Sequence, residues 1–369
     1  MNILTIALAA VMGLGACGEG SDTPQQEVVE QLNLNVTPTS LNFGAEGGEN
    51  SLSLNASREW SAFTSGESWI TVAPAHGASG NAQVKVQVSA NTAYEPREAE
   101  VTLKAGTERQ VVKVSQEAAE RPVYSFSCPL PDYELAWHDE FDEGTQLSND
   151  WIHEVQRDHW VNNELQNYVN RKSPNGRLVT EIVDGQLQIH CFEEEGKVYS
   201  GRVYAKRNQG WKYGYVEASI NLPSGKGTWP AFWMMPVNFK SWPDDGEIDI
   251  MEEVGVNPDY VSSSLHAKGH YHVENTQVTK EIKCPGAEGS FHTYGMEWTP
   301  EYFQFYVDGQ KTLYYKNPGT GKRDWPYDAP FYVILNLAWG GDWGGWNGVD
   351  SKALPVTMKV DYVRVYQKK

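Results

Sequence analysis

The chain has 369 residues, a length that predicts more than one domain. Its 30 Lys and Arg stand against 48 Asp and Glu, a net charge of −18, which argues against nucleic acids and anionic lipid surfaces as partners. With 40% hydrophobic and 21% charged residues, the composition is globular and excludes a disordered chain. The 14 Trp and 19 Tyr supply flat amphipathic rings on which sugar rings can stack, so an uncharged polysaccharide is a candidate partner.

The N-terminal residues have the pattern of an export signal. The apolar run 3–16, which is 14 residues long and ends at Leu14-Gly15-Ala16-Cys17, is too short for a helix that spans a bilayer. It fits a secretory signal with Cys17 where bacterial lipoproteins carry their acylated cysteine. We therefore expect a lipoprotein signal peptide at 1–16, lipidation of Cys17, a flexible tether at 17–31, and a cell-surface location on the outer membrane. The alternative is a plain signal peptide with an unrelated cysteine, and no Lys or Arg precedes the apolar run.

Three further cysteines, Cys128, Cys191 and Cys284, lie far apart in the sequence. An odd number excludes a disulfide framework and leaves room for one bridge at most. No local pattern around them indicates an activated thiolate.

Residues 32–117 alternate in short strand-like runs between Gly, Pro and Asn turns, and this spacing predicts a small β-sandwich. The segments Pro38-Thr-Ser-Leu-Asn-Phe43, Ser68-Trp-Ile-Thr-Val-Ala-Pro74 and Arg97-Glu-Ala-Glu-Val-Thr-Leu103 resemble the BACON-type domain, an immunoglobulin-like module found ahead of polysaccharide enzymes. We expect Trp60 and Trp69 to pack in or against the core of this module, which then acts as a spacer. Glycan binding by the module is the alternative.

A proline-containing linker is expected at 118–131, followed by a second module at 132–369. Runs such as Phe331-Tyr-Val-Ile-Leu-Asn-Leu337 and Val360-Asp-Tyr-Val-Arg-Val-Tyr366 predict strands, and the sequence offers no amphipathic helical stretch of useful length. This many closely spaced strands suits one large two-sheet sandwich with an open cleft on one face. The predicted fold class is all-β, and 12 of the 14 Trp fall in the second module.

The candidate chemistry lies in the segment Glu247-Ile-Asp-Ile-Met-Glu252. In a regular strand Glu247 and Asp249 share one face, the isoleucines point into the core, and Glu252 would also turn inward. Because a lone buried carboxylate is costly, we expect a one-residue β-bulge near Ile250 and Met251. This bulge returns Glu252 to the face of the other two acids.

With that bulge, Glu247 and Glu252 behave like residues four apart, with about 13 Å between their Cα atoms. Side chains that lean toward each other then bring the carboxyl groups near the roughly 5 to 5.5 Å of retaining glycosidases. Three acids this close cannot all be ionised, so one keeps its proton and can act as a general acid. We infer that Glu247 is the nucleophile, Glu252 the acid and then the base, and Asp249 the residue that orients and tunes Glu247. An acidic edge strand without chemistry is the alternative.

The same segment, preceded by Gly227-Thr-Trp-Pro-Ala-Phe-Trp-Met-Met-Pro236, resembles the signature of glycoside hydrolase family 16 in its bulged, laminarinase-type form. Further matches spread over essentially all of 132–369: His138-Asp-Glu-Phe-Asp142, Asn162-Asn-Glu-Leu-Gln166, Ser200-Gly-Arg202 and Leu335-Asn-Leu-Ala-Trp-Gly-Gly341. The resemblance implies a jelly-roll sandwich with the acids on the concave sheet and retention of configuration.

The resemblance also implies contacts with substrate. Aromatic positions on the donor side correspond to Trp229 and Trp233, and polar positions that hold sugar hydroxyls correspond to Asn163, Glu164 and Arg202. His266 is expected beside the nucleophile, and Trp339 and Trp343, in the glycine-dense loop around 340–348, on the acceptor side. The alternatives are core packing for the tryptophans, exposed loop positions without a role for the polar residues, and a structural histidine.

Many family members hold one calcium ion on the face away from the cleft. The matching positions here are Glu140, the backbone carbonyl of Gly185, and Asp361, which can supply the hard oxygen ligands that calcium needs. We expect a structural calcium ion and no cofactor for catalysis.

The leading hypothesis is a secreted, lipid-anchored, monomeric endo-β-1,3-glucanase of laminarinase type that retains configuration and cleaves neutral β-glucan, including mixed-linkage β-1,3/1,4-glucan. Lichenase, agarase, porphyranase and carrageenase are the alternatives within the family. The inserted Met251 argues against a lichenase, and the net charge of −11 over 132–369 (34 acidic and 23 basic residues) argues against a sulfated substrate. A non-catalytic surface glycan-binding protein predicts the loss of a catalytic acid, and all three acids are present.

Overall fold

The structure is a computed structural model that describes residues 32–120 and 123–369. The chain divides into two compact units, the first ending at Glu120 and the second beginning at Arg121. Both units consist almost wholly of β-strands, which confirms the predicted all-β fold class. Within the described ranges, no helix is both long enough and apolar enough to cross a membrane.

The first unit contains two sheets, ordered β1-β3-β7-β5 and β2-β9-β8-β4-β6. Its strands are β1 (Leu34–Thr37), β2 (Ser40–Phe43), β3 (Gly48–Ala56), β4 (Trp60–Thr64), β5 (Ile70–Ala73), β6 (His76–Gly77), β7 (Gly80–Val88), β8 (Arg97–Ala105) and β9 (Glu108–Gln116). Buried and exposed residues alternate along β3 and β7, the pattern of strands with one face on a core.

Both tryptophans of the first unit are used in packing. Trp60 is 3% exposed within the core, and Trp69 packs against that core with the guanidinium of Arg97 over its ring, 4.4 Å from the ring centroid. The predicted packing role of Trp60 and Trp69 is confirmed, and neither ring is an open platform for a sugar.

The second unit contains the remaining strands. These are β10 (Tyr133–Asp139), β11 (Trp151–His153), β12 (Gln166–Tyr168), β13 (Thr180–Val183), β14 (Gln186–Glu194), β15 (Lys197–Ser200), β16 (Arg202–Ala205), β17 (Gly214–Asn221), β18 (Thr228–Pro236), β19 (Glu247–Glu253), β20 (Tyr260–His266), β21 (Val278–Lys283), β22 (His292–Trp298), β23 (Tyr302–Val307), β24 (Gln310–Lys316), β25 (Phe331–Trp339) and β26 (Val356–Lys368). One α-helical turn, α1 (Gly341–Gly344), and two 3-10 turns, His272–Glu274 and Ser351–Ala353, are its short helices.

These strands form two large sheets around one core. The seven-stranded sheet has the order β11-β16-β25-β18-β19-β20-β21. The ten-stranded sheet runs β12-β15-β14-β26-β17-β22-β23-β24, with β10 paired to β26 and β13 to β14. Alternate residues of β25, such as Leu335 and Leu337, meet alternate residues of β26, such as Val363 and Val365, in one buried cluster. Strand β19 is held by β18 on one side and β20 on the other, so its register is fixed from both sides.

The start of the second unit differs from the sequence prediction. Residues 118–131 were expected to form a linker, yet Phe126, Cys128 and Leu130 pack against buried tyrosines of the ten-stranded sheet. Phe126 also lies 4.4 Å from the ring of His138, centroid to centroid. The second half of the predicted linker is therefore part of the second unit, because its apolar side chains cover rings that would otherwise face water.

Candidate active site

Three acids of β19 share the face of the seven-stranded sheet that points away from the core. In the pairing of β19 with β20, Asp249 lies opposite Ser264 and Glu252 lies opposite Ser262, and the register shifts between these two pairs. A single residue, Ser263, therefore faces two residues of β19. The predicted β-bulge at Ile250 and Met251 is confirmed.

The core holds this bulge in place. Ile250 and Met251 are both buried in the cluster between the two sheets, so consecutive side chains point the same way, which a regular strand does not allow. The hydroxyl of Ser263 donates a hydrogen bond to the carbonyl oxygen of Ile250, at 2.9 Å, and so satisfies a backbone group that the irregular pairing leaves free.

The register also fixes the spacing of the two glutamates. Glu247 lies opposite His266 and Glu252 opposite Ser262, so along the uninterrupted β20 the glutamates are four positions apart. Four positions of a strand correspond to about 13 Å between Cα atoms. This is the spacing inferred from the sequence, within which two converging glutamate side chains approach the distance used by retaining glycosidases.

The bulge has a consequence that the sequence analysis missed. Glu253 follows Glu252 directly and turns to the core side, where it is 0% exposed and neither of its carboxylate oxygens has a donor partner among the described residues. Burial, and then the charge of Glu288, raise the pKa of Glu253 to about 10. Glu253 therefore stays protonated at neutral pH. The sequence could have predicted this, because two consecutive residues of a regular strand point to opposite faces, so Glu252 and Glu253 cannot both face the substrate side.

Burial and mutual repulsion hold protons in the acid cluster of β19. Burial, followed by the charge of Asp249, raises the pKa of Glu247 and of Glu252 to about 8. Burial also raises the pKa of Asp249 well above its ordinary value. Because each ionisation opposes the next, the three carboxyl groups do not all ionise near neutral pH.

Neighbouring groups oppose the effect of burial on both glutamates. Nε2 of His266 lies 3.1 Å from Oδ2 of Asp249 and 3.9 Å from Oε1 of Glu247, and a positive charge on His266 lowers the pKa of both Glu247 and Glu252. Nε1–H of Trp229 donates to Oε1 of Glu252 at 3.0 Å, which also lowers the pKa of Glu252. The assignment of Glu247 as the nucleophile and Glu252 as the acid stays a prediction.

Trp229, which contacts Glu252, forms an aromatic corner with Trp343. Trp343, from α1, meets the ring of Trp229 edge to face, with 5.4 Å between centroids. Glu164 borders the same corner, because its charge raises the pKa of Glu252. Glu164 is itself buried and accepts hydrogen bonds from Gln166 at 2.7 Å and Asn162 at 3.2 Å.

A second group lies around Trp233, which faces the same side of the sheet as the acids. Its Nε1–H donates to Oδ1 of Asn336 at 2.6 Å, and the guanidinium of Arg202 stacks over its ring, 4.6 Å from the centroid. Nε–H of Arg202 donates to the hydroxyl of Tyr204 at 3.1 Å. The structure thus brings together Trp229, Trp233, Glu164, Arg202, His266 and Trp343 around the three acids.

Comparison with known proteins identifies the second unit. The model of the family described as "Glycosyl hydrolases family 16" matches residues 179–364. The chain belongs to glycoside hydrolase family 16. The first unit matches the model described as "Viral BACON domain" over residues 33–119, which confirms the predicted BACON-type module.

Similar family 16 proteins are known in sequence and structure. A β-glucanase of Rhodothermus marinus is 43% identical over 256 residues, 65% of this chain and 87% of the relative. The X-ray structure of the laminarinase from Rhodothermus marinus matches with a TM-score of 0.60 at 41% identity, over 65% of this chain and 99% of that one. A variant of SCLam, a non-specific endo-β-1,3(4)-glucanase of family 16 with 1,3-β-D-cellobiosyl-glucose at its active site, matches with a TM-score of 0.61 at 38% identity, over 65% of this chain and 96% of that one.

One predicted substrate contact of the family 16 unit is wrong. Trp339 is 1% exposed and belongs to the core between the sheets. It is the last residue of β25 and has the same parity as Leu335 and Leu337, so strand alternation directs it inward. Trp343, four residues further on, lies beyond the strand in α1 and contacts Trp229, which donates to Glu252.

Asn163 has a structural role that the sequence analysis did not anticipate. It is exposed, and its Nδ2 donates to both carboxylate oxygens of Asp342, at 2.9 and 3.1 Å. Because Asp342 belongs to α1, Asn163 ties down the loop that carries Trp343. A direct contact between Asn163 and a sugar remains a prediction.

The sequence analysis also missed residues that border the acids. Asn336 is the one amide in the buried strand β25 and orients Trp233, a signal visible as a single polar residue within an apolar run. The ring of Trp242 lies 6.0 Å from that of His266 and 5.0 Å from that of His272. Both contacts arise from loops, whose position relative to β19 no sequence periodicity reveals.

The three positions predicted to bind calcium, Glu140, Gly185 and Asp361, lie close together, but the side chain of Glu140 is already paired with Arg364. Leu187 pairs with Val360, which brings the turn at Gly185 beside Asp361, and the charge of Glu140, after burial, raises the pKa of Asp361. Both carboxylate oxygens of Glu140 accept from Arg364, at 2.9 and 2.7 Å. The Glu140 side chain is therefore committed to an ion pair, and its backbone carbonyl is the oxygen left for a cation. The predicted lipidation site, Cys17, lies outside the described residues.

Replacing Trp229 by Phe should move the alkaline limb of the pH profile. The hydrogen bond from Trp229 lowers the pKa of Glu252, so its loss should raise that pKa. Since Glu252 must carry a proton to act as an acid, activity should persist to higher pH, by up to about one pH unit. The measurement is kcat/KM against pH. Trp343→Phe, which removes no hydrogen bond to Glu252, is the matched control, and an unmoved limb in Trp229→Phe would mean that another group sets it.

Proposed function

We propose that this chain is an endo-β-1,3-glucanase that retains the configuration at the cleaved bond. The observation that carries the proposal is the confirmed bulge of β19, which places Glu247, Asp249 and Glu252 on one face, next to the tryptophans Trp229 and Trp343. The proposed substrate agrees with the glucanase and laminarinase names of the similar family 16 proteins.

The arrangement supports a two-step displacement. In the first step a carboxylate oxygen of Glu247 attacks the anomeric carbon while Glu252 gives its proton to the glycosidic oxygen. The old C–O bond breaks, the leaving chain departs as an alcohol, and a glycosyl ester with Glu247 remains. In the second step Glu252, now a carboxylate, takes a proton from water, whose oxygen attacks the same carbon and releases Glu247. Two inversions give net retention.

Asp249 and His266 support the nucleophile in this scheme. A protonated Asp249 adds no negative charge beside Glu247, and its proton can be shared with Glu247, while Nε2 of His266 lies 3.1 Å from Oδ2 of Asp249. When Glu247 forms the ester, its charge is lost, and repulsion within the cluster falls. The cluster therefore releases Glu252 to ionise at the moment when it must act as the base.

Charge and aromatic content favour a neutral glucan over the sulfated galactans. The second module carries 34 acidic and 23 basic residues, and a negative surface repels a polyanion. The rings of Trp229 and Trp343 suit the apolar faces of β-linked glucose units. Mixed-linkage β-1,3/1,4-glucan is proposed as a second substrate.

The activity is tested by release of reducing ends from laminarin, mixed-linkage glucan, agarose, porphyran and carrageenan. We expect cleavage of laminarin, with slower or equal cleavage of mixed-linkage glucan, and a loss of at least ~10³-fold in Glu247→Gln. Proton NMR of the first products should show the β-anomer. Cleavage confined to a galactan would contradict the glucan proposal, and binding of glycan without any cleavage would contradict the enzyme proposal.

We also propose that Asp361 and the backbone carbonyls of Glu140 and Gly185 hold a structural calcium ion. A cation there would relieve the repulsion between Asp361 and Glu140 that raises the pKa of Asp361. Calcium at about one hundred times its Kd should stabilise the protein by roughly 2.7 kcal/mol relative to a chelator. Differential scanning fluorimetry should show this rise in Tm in the wild type and in Asp328→Asn, an exposed control. An equal rise in Asp361→Asn would exclude this site.

A lipid anchor at Cys17 and a location on the outer membrane at the cell surface are proposed from the sequence pattern alone. Labelling of cells with radioactive palmitate should mark the protein, and Cys17→Ser should abolish the label. A soluble, unlabelled wild-type product would refute the anchor.

A further inference from the structure

A second cluster of reactive side chains lies away from the acids of β19. Cys284 follows β21, His292 is the first residue of β22, and Asp308 lies between β23 and β24. The sulfur of Cys284, a ring nitrogen of His292 and a carboxylate oxygen of Asp308 all lie within 4.8 Å of one another. None of the three takes part in the proposed hydrolysis.

Backbone hydrogen bonds fix the position of this cluster. The amide of Asp308 donates to the carbonyl of Thr293 at 2.8 Å, and the amide of Thr293 donates to Oδ1 of Asp308 at 2.9 Å. On the other side, the amide of Cys284 donates to the carbonyl of Asp259 at 2.7 Å. Because the side chains start from a fixed frame, a ligand that joins them needs little reorganisation.

The histidine is arranged as a ligand. Its Nδ1 lies 2.7 Å from Oδ2 of Asp308, and with the proton on Nδ1 this contact leaves the lone pair on Nε2. Nε2 of His292 is buried and has no hydrogen-bond partner among the described residues. An imidazole with a carboxylate on one nitrogen and a free lone pair on the other is what metal-binding histidines present.

The charge around the cluster favours a cation. Besides Asp308, a second carboxylate, that of Asp259, lies on this segment: its Oδ1 accepts from the amide of Gly286 at 2.8 Å, and its backbone carbonyl accepts from the amide of Cys284. The side chain of Asp308 is 47% exposed, so solvent and ions have access to the cluster.

We propose that Cys284 and His292, with Asp308 as the supporting carboxylate, bind one borderline-soft divalent cation, for which Zn²⁺ is the best match. Sulfur and imidazole nitrogen are the donors that Zn²⁺ prefers, whereas calcium takes oxygen ligands. The bound cation joins the end of β21, in the seven-stranded sheet, to β22, in the ten-stranded sheet. Its role is to clamp the two sheets together at this edge.

Cobalt(II) substitution tests the proposal, because a thiolate bound to Co²⁺ gives a charge-transfer band in the near ultraviolet. The acids and His266 of the active site contain no thiol, so the band excludes cobalt bound there, and its loss in Cys284→Ser assigns it to Cys284 among the four cysteines of the chain. We expect the chelator-treated full chain to bind one equivalent of Co²⁺ with this band, and Zn²⁺ but not Ca²⁺ to displace it. Cys128→Ser is the matched thiol control and should leave the band unchanged.

Variants at the cluster complete the test. Cys284→Ser should lose the band, and His292→Ala and Asp308→Asn should weaken Zn²⁺ binding about 10- to 100-fold, measured by calorimetry. Hydrolytic activity should remain in Asp308→Asn, which shows that the protein is folded even where Cys284→Ser fails to fold. Absence of the band in the wild type, its persistence in Cys284→Ser, or unchanged Zn²⁺ affinity in Asp308→Asn would each overturn the proposal.

Discussion

The chemistry of this family 16 enzyme depends on one spacing, four strand positions between Glu247 and Glu252 on the same face of β19, which the bulge preserves in spite of an extra residue. Ile250 and Met251 both enter the core, and this places Glu252 beside Glu247 and Asp249 on the opposite face. The bulge is stable because the apolar side chains gain burial and because Ser263 satisfies the carbonyl of Ile250. Packing thus forces the acids together, although their mutual repulsion opposes it.

Burial and the repulsion among the three carboxylates raise the pKa values of Glu247 and Glu252, and the proposed reaction uses the protons that are retained in this way. A retaining mechanism needs a nucleophile that is ionised and an acid that is not, and repulsion within a buried cluster separates the two ionisations. His266 lowers the pKa of both glutamates, and Trp229 donates a hydrogen bond to Glu252. Burial raises the pKa of Asp249 well above its ordinary value, and in its neutral form Asp249 lies between the glutamates without adding charge. Formation of the ester removes the negative charge of Glu247, which lowers the repulsion on Glu252 and lets Glu252 act as the ionised base in the second step.

Strand periodicity and the penalty for a buried acid were sufficient to predict the fold class, the bulge and the face shared by the three acids. The same rules could have predicted two further features. Trp339 lies an even number of residues from the core residues Leu335 and Leu337 of β25 and so points inward, and Glu253 must turn inward when Glu252 turns outward. Other features lay beyond sequence reasoning. Asn163 bonds Asp342, 179 residues away, and Phe126 covers the ten-stranded sheet, because loops are placed by tertiary packing that no local pattern encodes.

The most direct test of the bulge is to remove it. Deletion of Met251 restores a regular alternation in which the two glutamates are still four positions apart, whereas deletion of both Ile250 and Met251 leaves three positions and turns the second glutamate inward. The account predicts that the single deletion keeps kcat/KM on laminarin within roughly 10²-fold of the wild type and that the double deletion loses all measurable activity. A single-deletion variant that is folded by circular dichroism and yet as inactive as the double deletion would contradict it.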